Sequence, residues 1–137
     1  MNYKNLFFAL LVFSMMVVSI FYAKASPSGG VCSGTTTLKF KGSGHASGTS
    51  GTMLNFYNDA LTQCNSDMAS DFKAKSKECI SFCKKQSTQQ FFCNPVIKAD
   101  KAECDGSNRQ CSVSPGAISC TVKDEGTMTC SCEGVEL

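Results

Sequence analysis

The sequence predicts an α+β fold. It reads as a small disulfide-rich domain with an N-terminal strand, a long amphipathic helix, continuous or kinked, and C-terminal β-hairpins forming an antiparallel sheet packed on the helix. Three observations carry this reading. Ten cysteines, an even count, all follow an apolar leader. Apolar residues step by three or four from Met53 to Cys83, with no Gly or Pro between Thr52 and Asn94. Segments on either side of that stretch alternate with period two.

The leader "MNYKNLFFALLVFSMMVVSIFYAKA" has one early positive charge, Lys4, and no charged residue from Leu6 to Ala23. Ala23-Lys24-Ala25 is an A-x-A cleavage pattern. Residues 1–25 are therefore read as a signal peptide, with the mature chain starting at Ser26. The apolar run is also just long enough to span a bilayer, so an uncleaved N-terminal anchor is the competing reading. Residues 26–137 form one disulfide-stapled domain.

The whole chain carries 13 basic and 11 acidic residues. Lys4 and Lys24 leave with the leader, so eleven basic residues face eleven acidic ones. A nucleic-acid binder shows a basic surplus, and that class is set aside. The balance is uneven along the chain: residues 26–98 are net basic and residues 99–137 net acidic. The two halves attract each other, or they present a polarised surface to a charged partner.

The cysteines are Cys32, Cys64, Cys79, Cys83, Cys93, Cys104, Cys111, Cys120, Cys130 and Cys132. In an exported chain this predicts a disulfide framework of five bridges. Each contributes roughly 2–4 kcal/mol, against a typical net stability of about 5–15 kcal/mol. Zinc is the alternative for closely spaced cysteines, and an oxidising compartment disfavours it.

In "TLKFK", Leu38 and Phe40 share one face and Lys39 and Lys41 the other, which predicts a half-buried strand. The Gly/Ser-rich stretch from Gly42 to Gly51 reads as a mobile turn or loop. Met53, Tyr57, Leu61, Cys64, Met68 and Phe72 then line one helical face. Cys79 and Cys83 continue it after an interruption near Lys75. Thr52 suits the N-cap, and Lys84 and Lys85 suit the negative C-terminal end. A continuous helix would be about 50 Å long, so a break at residues 74–77 is part of the reading. Val96 to Cys104 and Gln110 to Val113 read as two short strands, with Asp105-Gly106 starting the turn between them.

The last stretch, "AISCTVKDEGTMTCSCEG", raises the question of a Cys-x-Cys pair. Ile118, Cys120 and Val122 alternate with hydroxyl residues, and so do Met128, Cys130 and Cys132. "DEG" fits a three-residue hairpin loop, which would place Cys120 opposite Cys130. Cys130 and Cys132 then share the buried face. Two steps along a strand separate their Cα atoms by about 6.6 Å, and the side chains run parallel, so they do not suit a bridge to each other. The same holds for Cys79 and Cys83 on the helix. Bridging from helix to sheet is the economical solution.

No catalytic, cofactor-binding or metal-binding residue is assigned. The single histidine, His45, lies in "GSGHASG" and reads as solvated. Cys-x-Cys as a redox pair lacks a neighbouring lysine or arginine to activate it. In "DKAECDGSN", Lys101 stands where a calcium loop needs its first carboxylate. The lysines from Lys73 to Lys85 read as a solvated helix face. The functional expectation is an exported, secreted or periplasmic, non-catalytic module that binds an unknown protein or an envelope component, or serves as a structural part of the envelope or extracellular space. It would contact no nucleic acid and, once cleaved, no membrane. The alternative is a secreted effector, an enzyme inhibitor or toxin-like protein on a rigid scaffold.

Overall fold

A computed structural model of the chain describes residues 32–136. The signal peptide or anchor predicted for residues 1–25, and its cleavage site, lie outside the described residues. The elements are β1 (Thr35–Gly48), α1 (Met53–Lys84), β2 (Phe91–Ala99), β3 (Arg109–Ser114) and β4 (Ala117–Glu136). One antiparallel sheet packs on one long helix, as the α+β reading requires. β4 is the central strand. β1 pairs along one side of it, from Gly48 opposite Ile118 to Thr35 opposite Ser131. The other side is shared end to end, with β3 along residues 117–122 and β2 along residues 128–136. The chain between β2 and β3 fills the gap. There the Asp100 amide donates to the Thr127 carbonyl (3.1 Å) and the Lys123 amide to the Asn108 carbonyl (3.1 Å).

The Gly/Ser-rich stretch is not a loop. β1 runs through it to Gly48. Its even positions face the helix: Phe40 is buried, and Gly42, Gly44, Ala46 and Gly48 follow. A Cβ on Gly42 would lie 2.5 Å from the Cys64 carbonyl oxygen, and one on Gly44 would overlap the Ala60 carbonyl. These glycines serve neither a turn nor mobility. They let the helix backbone rest directly on the strand.

The predicted break at residues 74–77 does not occur, and α1 is continuous over 32 residues. The interruption in the apolar stripe is Ser76, whose hydroxyl donates to the Phe72 carbonyl at 2.8 Å. Its polarity is satisfied within the helix, so it interrupts the pattern and not the structure. Thr52 caps the start, its Oγ1 accepting from the Asn55 amide at 3.3 Å.

The C-terminal hairpin at "DEG" is also corrected. Ala117–Glu136 is one strand of 20 residues. A three-residue hairpin and a straight strand give the same alternation, so the facing of Val122, Met128, Cys130 and Cys132 is unchanged while the pairing differs. Cys120 does not oppose Cys130. Gly126 stands directly opposite Phe40, and a Cβ on it would overlap that ring. The glycine makes room for a core aromatic and not for a turn. The hairpin lies earlier, at Pro115-Gly116, where Ser114 pairs Ala117 and Gly116 has φ 82°. Proline followed by a glycine at positive φ is type II turn chemistry. The strands predicted at Val96–Cys104 and Gln110–Val113 exist with shifted limits. Each pairs with β4 and not with the other.

Two buried clusters lie between the layers. Phe40, Ala60, Cys64, Met68, Cys104, Cys120, Val122 and Met128 form the first, with Phe72 edge-on to Phe40 at 5.2 Å between centroids. The second consists of Cys79, Cys83, Cys93, Cys130 and Cys132.

Candidate functional site

Among the described residues, three places hold the chemistry: the sulfur cluster, the exposed edge of β1, and the sheet face opposite the helix. The five bridges are Cys32–Cys93, Cys64–Cys104, Cys79–Cys130, Cys83–Cys132 and Cys111–Cys120. Three of them take a helix cysteine to another layer or loop. Cys111 and Cys120 are directly opposed across the β3–β4 hairpin, 4.1 Å apart at Cα. The spacing behind the Cys-x-Cys pair is now visible. Four residues of helix rise about 6.0 Å, and two residues of strand rise about 6.6 Å. So Cys79 and Cys83 meet Cys130 and Cys132 in step. The sulfurs of Cys79, Cys83 and Cys130 lie within 4.8 Å of one another, a spacing suited to a metal. All three are in bridges, and a disulfide sulfur lacks the thiolate charge that zinc requires.

The same step governs the edge of β1. Here three of the backbone amides that point away from β4 are taken by helix side chains. The Lys41 amide donates to Asp71 Oδ2 (2.8 Å), the Ser43 amide to Asp67 Oδ2 (3.0 Å) and the His45 amide to Gln63 Oε1 (3.1 Å). Acceptors four apart on the helix match amides two apart on the strand. An unpaired strand edge invites pairing with another chain, and this ladder covers the middle of it, from Lys41 to His45. The sequence reading missed these residues. Their signal was present: Gln63, Asp67 and Asp71 each directly precede Cys64, Met68 and Phe72 of the apolar stripe, and Asp59 precedes the buried Ala60. Where the ladder ends, an open depression of about 540 Å³ lies between β1 and α1, lined by His45, Ser47, Phe56, Asp59, Thr62 and Gln63. His45 is on a strand and exposed, with Nδ1 2.9 Å from Thr121 Oγ1.

The outer sheet face carries the odd positions of β1 and β4. Thr35 stands beside Ser131, Thr37 beside Thr129, His45 beside Thr121 and Ser47 beside Ser119. On β3, Ser112 lies 2.9 Å from Ser119, oxygen to oxygen. Lysines flank these hydroxyls. Lys39 and Lys41 pair with Glu125 at 2.9 and 3.6 Å. The hydrogen bond from Lys39, and then its charge, hold the Glu125 carboxyl below its ordinary pKa and raise that of Lys39. The lysines of α1 are not one patch: Lys75 is paired with Glu78 at 2.7 Å.

In the "DKAECDGSN" segment a lysine bridges two carboxylates. Lys101 Nζ is 3.1 Å from Asp105 and 2.8 Å from Asp124. Burial works to raise the Asp124 pKa, but the bonds from Lys101 and from the Asp105 and Glu125 amides outweigh it and hold it low. Asp105 is held low mainly by hydrogen bonds from Ser107. Compared with known proteins, the chain matches no protein-family model, no curated protein and no solved structure.

Proposed function

We propose that this chain is an exported, non-catalytic binding module that presents its outer sheet face to a protein or envelope component. The observation that carries the reading is the face itself. Hydroxyls and lysines from four strands stand on a sheet whose back is stapled to a helix. A rigid scaffold loses little conformational entropy when it binds. Five bridges fit an oxidising extracellular or periplasmic compartment. Among the described residues no helix is long and apolar enough to cross a membrane. Every cysteine is bridged, so His45 has no thiolate beside it to activate.

Site-specific photo-crosslinking tests the proposal. A photoreactive residue at Thr37 or Thr129 is expected to capture material from native extracellular or periplasmic fluid, and one at exposed Lys77 or Ser81 of α1 is not. Equal capture from both faces, or none, contradicts it. Recovery of one active enzyme, inhibited in the adduct, identifies the effector reading instead.

A further inference from the structure

The depression at the end of the β1 edge has a property that the rest of the edge lacks. Continuing the ladder by its own step puts Asp59 in register with the amide of Ser47. No hydrogen bond joins them, and Asp59 makes no hydrogen bond or ion pair among the described residues. A carboxylate and a strand amide thus face one opening without being used by the fold. Their neighbours are half used. Thr62 Oγ1 donates to the Asn58 carbonyl at 2.9 Å and keeps its oxygen free to accept. Gln63 spends its Oε1 on the His45 amide, and its NH₂ remains a donor. His45 spends Nδ1 on Thr121 and keeps the second ring nitrogen. The apolar wall is Phe56, fixed by close approach to Gly48: a Cβ there would lie 2.7 Å from its ring.

We propose that this depression binds a pyranose ring. The chemistry selects that class over others. A single carboxylate is too few oxygens for a divalent cation, and it repels an anion. A polar rim does not suit a purely apolar guest. A pyranose brings hydroxyls that both donate and accept, which suits an acceptor-only carboxylate beside a strand amide, a side-chain amide and a hydroxyl. Its C–H face suits the Phe56 ring. The volume, about 540 Å³, lies within the range of small-molecule sites. An open site and a ligand of few atoms imply a dissociation constant of about a millimolar. The site borders the outer sheet face, sharing His45 and Ser47 with it, but Thr37 and Thr129 lie outside it, and it does not depend on binding there.

Titration of the ¹⁵N-labelled, fully oxidised protein tests it, with glucose, galactose, mannose, N-acetylglucosamine and the N-acetylglucosamine trimer as probes. At least one probe is expected to shift the amides of Ser47, Phe56, Asp59 and Gln63 saturably. Asp59→Ala, at an exposed position, is expected to weaken that binding about tenfold or more with an unchanged melting temperature. Tighter binding of the trimer than of the monosaccharide points to a glycan chain as the source, and equal binding to a free sugar. No saturable shift with any probe, or full affinity in Asp59→Ala, overturns the proposal. Capture at Thr37 would survive either outcome, so the two readings fail separately.

Discussion

The two halves of α1 meet the sheet with the same spacing and opposite chemistry. In the C-terminal half, Cys79 and Cys83 are bonded to Cys130 and Cys132, and every buried residue of that cluster is a cysteine. In the N-terminal half, the one bridge, Cys64–Cys104, runs to the connection between β2 and β3 and not to the sheet. Against the sheet itself the helix backbone lies on Gly42 and Gly44, apolar side chains fill the space beside them, and Gln63, Asp67 and Asp71 bond the strand edge. Both use four helical residues against two strand residues. The difference teaches where each device works. Large side chains such as Phe40, Met68 and Met128 fill the first half. In the second, Leu38, Phe82 and Ile97 pack on the cysteines only partly buried, and covalent bonds supplement what burial provides.

The largest expected effect is on the sulfur side. Removing one bridge cleanly, as Cys79→Ala with Cys130→Ala, opens a loop of sequence separation 51. The chain-entropy account gives a loss of about 4 kcal/mol, read from the denaturant midpoint. On the other side, Gly44→Ala drives a methyl into the Ala60 carbonyl, and overpacking of this kind costs about 2–3 kcal/mol. A thermal scan that leaves Gly44→Ala as stable as the parent would remove close backbone contact from the account.

The edge ladder is weaker because water can replace its acceptors. Asp67→Ala is expected to cost about 1 kcal/mol, and Asp67→Asn, which keeps an acceptor oxygen, clearly less. Equal losses in the two variants would mean that charge, not the hydrogen bond to Ser43, is what matters there.

Smallest are the exposed pairs. Lys39→Ala should leave the denaturant midpoint almost unchanged, because solvent screens the exposed pair with Glu125. The lowered carboxyls of Glu125, Asp124 and Asp105 give a pH signature. Their folded pKa values lie below the unfolded ones, so their contribution is complete above the ordinary carboxylate range. It is lost as pH falls through the folded values. Lys101→Met should therefore be less stable than the parent near neutrality and converge with it in acid. A gap that persists unchanged at low pH would assign the effect to packing.

Much of this comparison was legible in the sequence, and unequally. The facing of Cys130 and Cys132, and the helix stripe that meets them, follow from alternation and from disulfide geometry. The glycine side was misread. "GSGHASG" has loop composition, and only the helix lying on it explains why its even positions are small. Gly126 failed for the same reason, since a glycine opposite Phe40 looks locally like a glycine in a turn. The acceptor row from Asp59 to Asp71 was visible as a period of four, but a charged row beside an apolar stripe also describes an ordinary solvated face. Which edge it would close depends on strand order, which local pattern does not contain.

Native-state hydrogen exchange on the Cys83→Ala, Cys132→Ala variant tests the central claim most directly, namely that the two halves of the helix are held separately. The account predicts lost protection in the last turns of α1, in β2 and in the end of β4. It also predicts that the amides of Ala60 to Phe72, and those of Lys41, Ser43 and His45, keep theirs. An equal fall in protection along the whole of α1 would contradict it, because one cooperative contact surface would then hold both ends.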